Sequence, residues 1–137
     1  MAVKKKKKKT ITQHKKRIDL LFHEYVRRRD AHNETGYCKC ISCSKIIHYT
    51  ESDGGHFLSR KAMATRWDER NVHAQCRKCN RFENGNQYSY SLRLGAELSD
   101  ELLQKSRETF KLMDFEYEEI YQEYKDKLAE LKKIQNF

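Results

Sequence analysis

"NVHAQCRKCNRFENGN", residues 71–86, sets a Cys-x-x-Cys pair, Cys76 and Cys79, inside a run that also holds a histidine and four asparagines. A second pair, Cys40 and Cys43 in "CISC", precedes it, with 32 residues between the pairs. Two such knuckles offer four soft thiolates, the set that tetrahedral Zn²⁺ prefers, so these cysteines predict a structural zinc site. Thiol redox chemistry would use one pair within a parallel-sheet thioredoxin pattern, which is absent here. Cys38, in "CKC", is a substitute ligand, but Cys40 and Cys43 have the better knuckle spacing. In a chain of 137 residues the core is thin, and zinc binding is folding energy for the region it cross-links.

Outward from the cysteines, charge is polarised. Residues 1–17 carry nine basic groups and no acid, which equals the net +9 of the whole chain. Residues 18–96 are net +4 and residues 97–137 net −4, so a polyanion is drawn to the first two-thirds, with salt-dependent affinity. The lysine run Lys4–Lys9 is equally readable as a solvated tail or a nucleic-acid arm. No apolar run approaches the roughly 20 residues that span a bilayer. No secretory-type apolar stretch follows the basic start, so no membrane association and a reducing compartment are expected.

Periodicity divides the rest. Ile18, Leu21, Phe22, Tyr25 and Val26 form the apolar stripe of a helix from about Thr12 to Ala31, closed by Asn33 and Gly36. All five cysteines and all five glycines then fall between Gly36 and Gly95, a compact, loop-rich segment. Within it "KIIHYT" and "NVHAQ" read as short strands. Leu98, Leu102 and Leu103 begin a short helix with Ser99 as N-cap. From Asp114, Tyr117, Ile120, Tyr121, Tyr124, Leu128 and Leu131 mark a longer amphipathic helix whose expected use is packing. The organisation expected is a disordered basic tail (1–11), an N-terminal helix (12–36), a zinc-bound core (37–95), and C-terminal helices (96–137) that cover the core or pair two copies.

Zinc has no use for the polar groups around it: Asp53 and His56 in "DGGHF", Asn71 and His73 in "ERNVH", Asn80 and Asn84 in "CNRFENGN". As a strand, "NVHAQ" turns Asn71 and His73 to one face. A helix starting near Cys76 or Arg77 puts Asn80 and Asn84 one turn apart. Each taken singly is an ordinary surface histidine or turn asparagine. Together they compose a site for a hard cation, Mg²⁺ or Mn²⁺, beside an imidazole base. A neutral histidine can take the proton of a water attacking phosphorus while the metal stabilises charge on phosphate, which is phosphodiester hydrolysis. Arg60, Lys61, Arg66, Arg70, Arg77, Lys78 and Arg81 flank these residues and suit phosphate contacts that hold DNA without reading sequence. Trp67 and Phe82 could stack on a distorted base, core packing being the expected use of both.

The order Cys-x-x-Cys, Gly-His, Asn, Cys-x-x-Cys-Asn resembles the HNH endonucleases. That resemblance implies an α+β, mainly helical protein with a small ββα-metal, treble-clef-like, zinc-stapled core flanked by helices. It also implies His56 as general base, Asn71 as brace of the loop carrying it, and Asn80 as ligand of the catalytic cation. Asn84, and Asp53 in place of an acid absent at Gly55, are further candidate ligands; His73 is a further candidate catalytic residue. More narrowly, "CISC", "DGGHF", "RWDERNVHAQCRKCN", "GNQYSY" and the tyrosine-bearing C-terminal helix resemble the NinG (Rap) recombination endonucleases of lambdoid phages. The resemblance implies cleavage of branched DNA such as Holliday junctions and D-loops, in the cytoplasm of the infected host. Paired cuts would suit a homodimer. The competing expectation is a non-catalytic zinc module that binds nucleic acid; only the nuclease requires a second, labile cation.

Overall fold

The computed structural model describes residues 7–137, so the part of the expected disordered tail at residues 1–6 lies outside the described residues. Lys7 to Lys9 lead directly into helix α1, Ile11–Arg29. Thr10 caps it: its hydroxyl accepts from the Gln13 amide while the Gln13 side chain accepts from the Thr10 amide. The helix ends at its cap Asp30, next to the Ala31 end expected from its apolar stripe, and the Asp30 carboxylate accepts from the Ala74 amide at 2.7 Å.

Two antiparallel ribbons follow. The first pairs β1, Tyr37–Lys39, with β2, Ile46–His48. The second pairs β3, Ser52–His56, with β4, Val72–Cys76, in a register that sets Ser52 opposite Cys76 and His56 opposite Val72. A short helix α2, Met63–Arg66, lies in the β3–β4 connection, and a wide helical turn, Lys78–Phe82, follows β4. Helices α3, Gln87–Leu94, α4, Ala96–Ser106, and α5, Asp114–Ile134, complete the chain. The architecture is α+β and mainly helical.

Ser99 is not the cap of α4. The helix begins at Ala96 behind Gly95, which at φ +85 makes the turn out of α3, and the Ser99 hydroxyl donates back to the Ser91 carbonyl. The helix α3 itself gave no clear apolar stripe; its one fully buried side chain is Tyr90.

α5 packs along α1 with the two chains running the same way. Arg17 meets Glu118 at 2.8 Å, Phe22 meets the Tyr124 ring edge-on at 4.8 Å, and Arg28 meets Gln135 at 3.3 Å. Parallel neighbours need a connection that returns the full helix length, and here the whole of residues 30–113 is that crossover. Ile18, Phe22 and Val26 are buried on this side of α1 with Tyr117, Tyr124 and Leu128 of α5. Truncating Phe22, which is fully buried, is the kind of change that costs about 3–5 kcal/mol. Among the described residues no helix is long and apolar enough to cross a membrane.

Candidate functional site

The thiolate knuckles close at one end of the β3–β4 ribbon. Cys40 and Cys43 follow β1, Cys76 ends β4, and Cys79 sits on the helical turn. Their four Sγ atoms lie within 4.8 Å of one another, and Cys43 and Cys76 are 3.7 Å apart. Tetrahedral zinc at a Zn–S length of ~2.3 Å places sulfurs about 3.8 Å apart, so the donor set fits Zn²⁺. The knuckles match: the Cys43 amide points to Cys40 Sγ and the Cys79 amide to Cys76 Sγ, both at 3.5 Å, and Asn86 donates to Cys79 Sγ at 3.4 Å. Burial and the neighbouring thiols push Cys79 up to about 12, so a bound cation is what would make ionising the whole set favourable. Cys38 stands outside the cluster, its side chain in the core opposite Ile47.

Beside the cluster opens a cleft of about 620 Å³ between α1, β3, the segment after β3, and the helical turn. His56, at the end of β3, is one wall. Its Nε2 lies 2.9 Å from the Arg66 carbonyl, an oxygen that only accepts, so Nε2 carries the hydrogen and Nδ1 keeps its lone pair. Burial moves its ionisation down to about 4, which leaves the ring neutral at pH 7. Arg66 is fixed in turn by Asp19 of α1, whose carboxylate accepts from Arg66 at 2.6 Å and from the Trp67 indole at 2.9 Å. Trp67 is therefore a packing residue, with Phe22, Val26 and Tyr124 around it.

Asn71 is completely buried. Its Oδ1 accepts from the Leu58 amide and its Nδ2 donates to the Leu58 and Thr65 carbonyls, tying the segment that follows His56 to the start of β4. Behind the ribbon, the buried Tyr90 hydroxyl donates to the Gly55 carbonyl at 2.7 Å. His73 also bonds Tyr90, at 3.0 Å, and here the structure corrects the sequence reading. Because Gly55 pairs with His73 and His56 with Val72, the two histidines project from opposite faces of the ribbon, and His73 does not line the cleft.

The oxygen donors converge only in part. Asp53, Asn80 and Asn84 all line the cleft. Asn80 Nδ2 donates to Asp53 at 3.0 Å, leaving its Oδ1 available. Arg81 forks onto both Asp53 oxygens at 2.9 Å. Burial opposes ionising Asp53, but Arg81 and Asn80 outweigh it and hold the carboxyl below its usual range. The helix expected to align Asn80 with Asn84 stops at Phe82. Asn84, Gly85 and Asn86 then take three consecutive left-handed conformations, with φ of +50, +82 and +43, so the asparagines serve the turn that swings the chain into α3. At Gly55 any Cβ would collide with the Gln75 side chain, which explains why no acid stands beside the base.

Of the basic candidates, Arg60, Arg77 and Arg81 line the cleft. Arg66 is spent on Asp19, and Arg70 is turned away, bound to Asp68 and Glu101. Lys61 is exposed next to Arg60, and Lys78 faces Glu83 at 3.6 Å. Sequence reading missed the contribution of α1. Leu20, His23 and Arg27 line the cleft together, and their i, i+3, i+7 spacing was a legible second stripe. His23 stacks edge-on against His56 at 5.4 Å, fits against the bare Gly54 backbone, and is kept neutral by burial. Arg27 and Arg77 bond only carbonyl oxygens, and neither has a carboxylate partner among the described residues.

Fold and site thus define a class: a small, mainly helical α+β protein in which a four-cysteine cluster able to hold a metal such as zinc buttresses an arginine-lined cleft with a neutral histidine. A family model described as "Bacteriophage Lambda NinG protein" matches residues 1–135. The chain belongs to the NinG family of lambdoid phages. It is 33% identical over 98 residues to "Protein ninG" of Escherichia phage lambda, covering 68% of this chain and 47% of that protein. It is 38% identical over 68 residues to "Protein ninG" of Escherichia phage 933W, covering 46% and 33% respectively. The match thus spans about half or less of each relative's length. No solved structure matches the chain.

Proposed function

We propose that this chain is an HNH-type, metal-dependent endonuclease that hydrolyses phosphodiesters in branched DNA during phage recombination, in the cytoplasm of the infected host. The observation that carries the proposal is the state of His56: a neutral imidazole, hydrogen held at Nε2 and lone pair free at Nδ1, in a cleft with Arg27 and Arg77, which lack carboxylate partners among the described residues. The ββα order supports it, since β3, β4 and the Lys78–Phe82 turn follow one another as that nuclease core requires. Residues 37–95 are then the nuclease unit, and α4 and α5 the flanking helices.

In this reading His56 Nδ1 accepts a proton from the attacking water. Asn71 holds the base-bearing loop through its three hydrogen bonds. Arg27, Arg60 and Arg77 hold the DNA backbone, and Asp53 and Asn80, with Asn84 at the rim, offer oxygens to Mg²⁺ or Mn²⁺. Such a cation supplies charge stabilisation to the phosphate and the leaving oxygen. It must compete with Arg81 for Asp53. That bidentate pair also favours the second reading, a zinc module that binds nucleic acid without cutting it.

Purified protein is expected to cut a synthetic four-way junction with Mg²⁺, to stop after mild chelation that leaves the zinc in place, and to resume on adding Mg²⁺. Binding without cutting under any divalent cation would select the non-catalytic module.

A further inference from the structure

Phe82, expected in the core, is 81% exposed. It sits on the short helical turn whose neighbouring residues, Asn80 and Arg81, line the cleft. Across the cleft Leu20 stands on α1, 69% exposed, although the adjacent Ile18, Leu21 and Phe22 turn inward. A lone exposed apolar side chain is ordinary. Phe82 itself lies outside the lining, but it follows two lining residues in the chain, and the lining holds Leu20 beside Arg27, Arg60 and Arg77, so exposed apolar side chains and phosphate-binding groups stand close together.

An intact duplex offers such a cleft phosphates alone, since its base faces are stacked inside. At a branch, gap or flap, a base leaves the stack and presents a π-face within reach of the backbone that the arginines hold. Aromatic side chains accept any base in this way, independent of sequence. We propose that Phe82 is a specificity-determining residue that stacks on an unpaired base at the branch point, with Leu20 in the cleft as a second apolar contact, while the arginines hold the flanking phosphates. The ligand class is DNA with an unstacked nucleotide. The inference rests on the nucleic-acid reading of the cleft and adds to it the source of the preference for branched over linear DNA.

The test compares wild type, Phe82→Ala and Phe82→Trp on two DNAs of equal length, a linear duplex and a four-way junction carrying 2-aminopurine at the branch. Affinity is read by anisotropy without Mg²⁺. Zinc content and the circular dichroism spectrum control for folding, which truncation of so exposed a side chain should leave intact. Phe82→Ala is expected to lose about tenfold in junction affinity, the scale of one base–aromatic stack, and to lose the change in 2-aminopurine emission on binding. Its duplex affinity and salt slope should stay unchanged, since no charge is removed, and Phe82→Trp should retain both junction signals. Equal junction binding by Phe82→Ala and wild type overturns the inference, as does an equal loss on both DNAs. A change in self-association with DNA binding untouched overturns it too, by assigning the side chain to a protein contact. Wild type that binds neither DNA removes the nucleic-acid reading itself, an outcome distinct from these.

Discussion

The cysteine cluster and the His56 cleft share the β3–β4 ribbon but are built differently. The cluster is local: two knuckles, each closed by an amide pointing at the first sulfur of its own pair, joined where β4 brings Cys76 to Cys43. The cleft is assembled from α1, β3, the post-β3 segment and the helical turn, and it stays open to solvent. The first arrangement is suited to holding the fold together and the second to admitting a ligand. A position's distance from the cysteine knuckles should therefore sort stability effects from functional ones.

Disrupting the cysteine cluster is the severest way to break that division. Cys76→Ala should abolish stoichiometric zinc binding and the cooperative thermal transition, since structural zinc contributes on the order of 10 kcal/mol to such domains. Calorimetry with metal analysis checks this, and an unchanged melting temperature would detach the cluster from the fold. Asn71 lies between the two regions. Asn71→Ala leaves the Leu58 amide and two carbonyls without their partner and should cost about 2–4 kcal/mol in urea unfolding, with loss of cutting beyond what that instability explains.

Proton linkage sharpens the contrast further. Burial lowers His56 to about 4 in the folded chain, whereas an unfolded histidine titrates near ~6.5. The unfolded chain therefore takes up the proton first. The contribution of this group is intact above about 6.5 and is lost as pH falls toward 4, up to about 3 kcal/mol. Wild type should thus lose more stability over that window than His56→Ala, measured by denaturation at several pH values. The acid limb of the cleavage rate should likewise fall near 4, where an ordinary imidazole base would already have failed near 6.5.

The smallest effect belongs to the exposed cleft. Arg77→Ala should weaken binding to all DNAs alike and lower the slope of log affinity against log salt by about 0.9, with folding untouched. A sequence- or branch-selective loss would give Arg77 a reading role.

What was legible in the sequence follows the same division. The knuckles were readable because two intervening residues let both thiols of a pair reach one point, where all four sulfurs meet, and α1 and α5 because their buried faces repeat every three to four residues. Asp53, His56 and Asn80 stood out as polar residues for which a cysteine site has no use, and the structure brings these three to one cleft, with Asn71 buried behind it. The parallel docking of α1 and α5 was not readable, and although the spacing of His23 and Arg27 marked a second stripe on α1, their place in the cleft depends on α1 crossing the side-chain-free Gly54. His73 was misplaced because it was aligned with Asn71 on its own strand, whereas its relation to His56 is set by the pairing of Gly55 with His73 across the ribbon. The helical alignment of Asn84 with Asn80 was misread because the Asn-Gly-Asn run takes left-handed backbone after the turn stops at Phe82, although Asn84 still lines the cleft.

In the proposed function the cleft would hydrolyse phosphodiesters with His56 as base, and single-turnover cleavage of a four-way junction by wild type and His56→Ala tests this most directly. With Mg²⁺ present and junction affinity and zinc content equal, the variant should cut about 10²–10⁴-fold more slowly, the contribution of a positioned general base. Equal cutting rates for the two proteins would contradict the role assigned to His56.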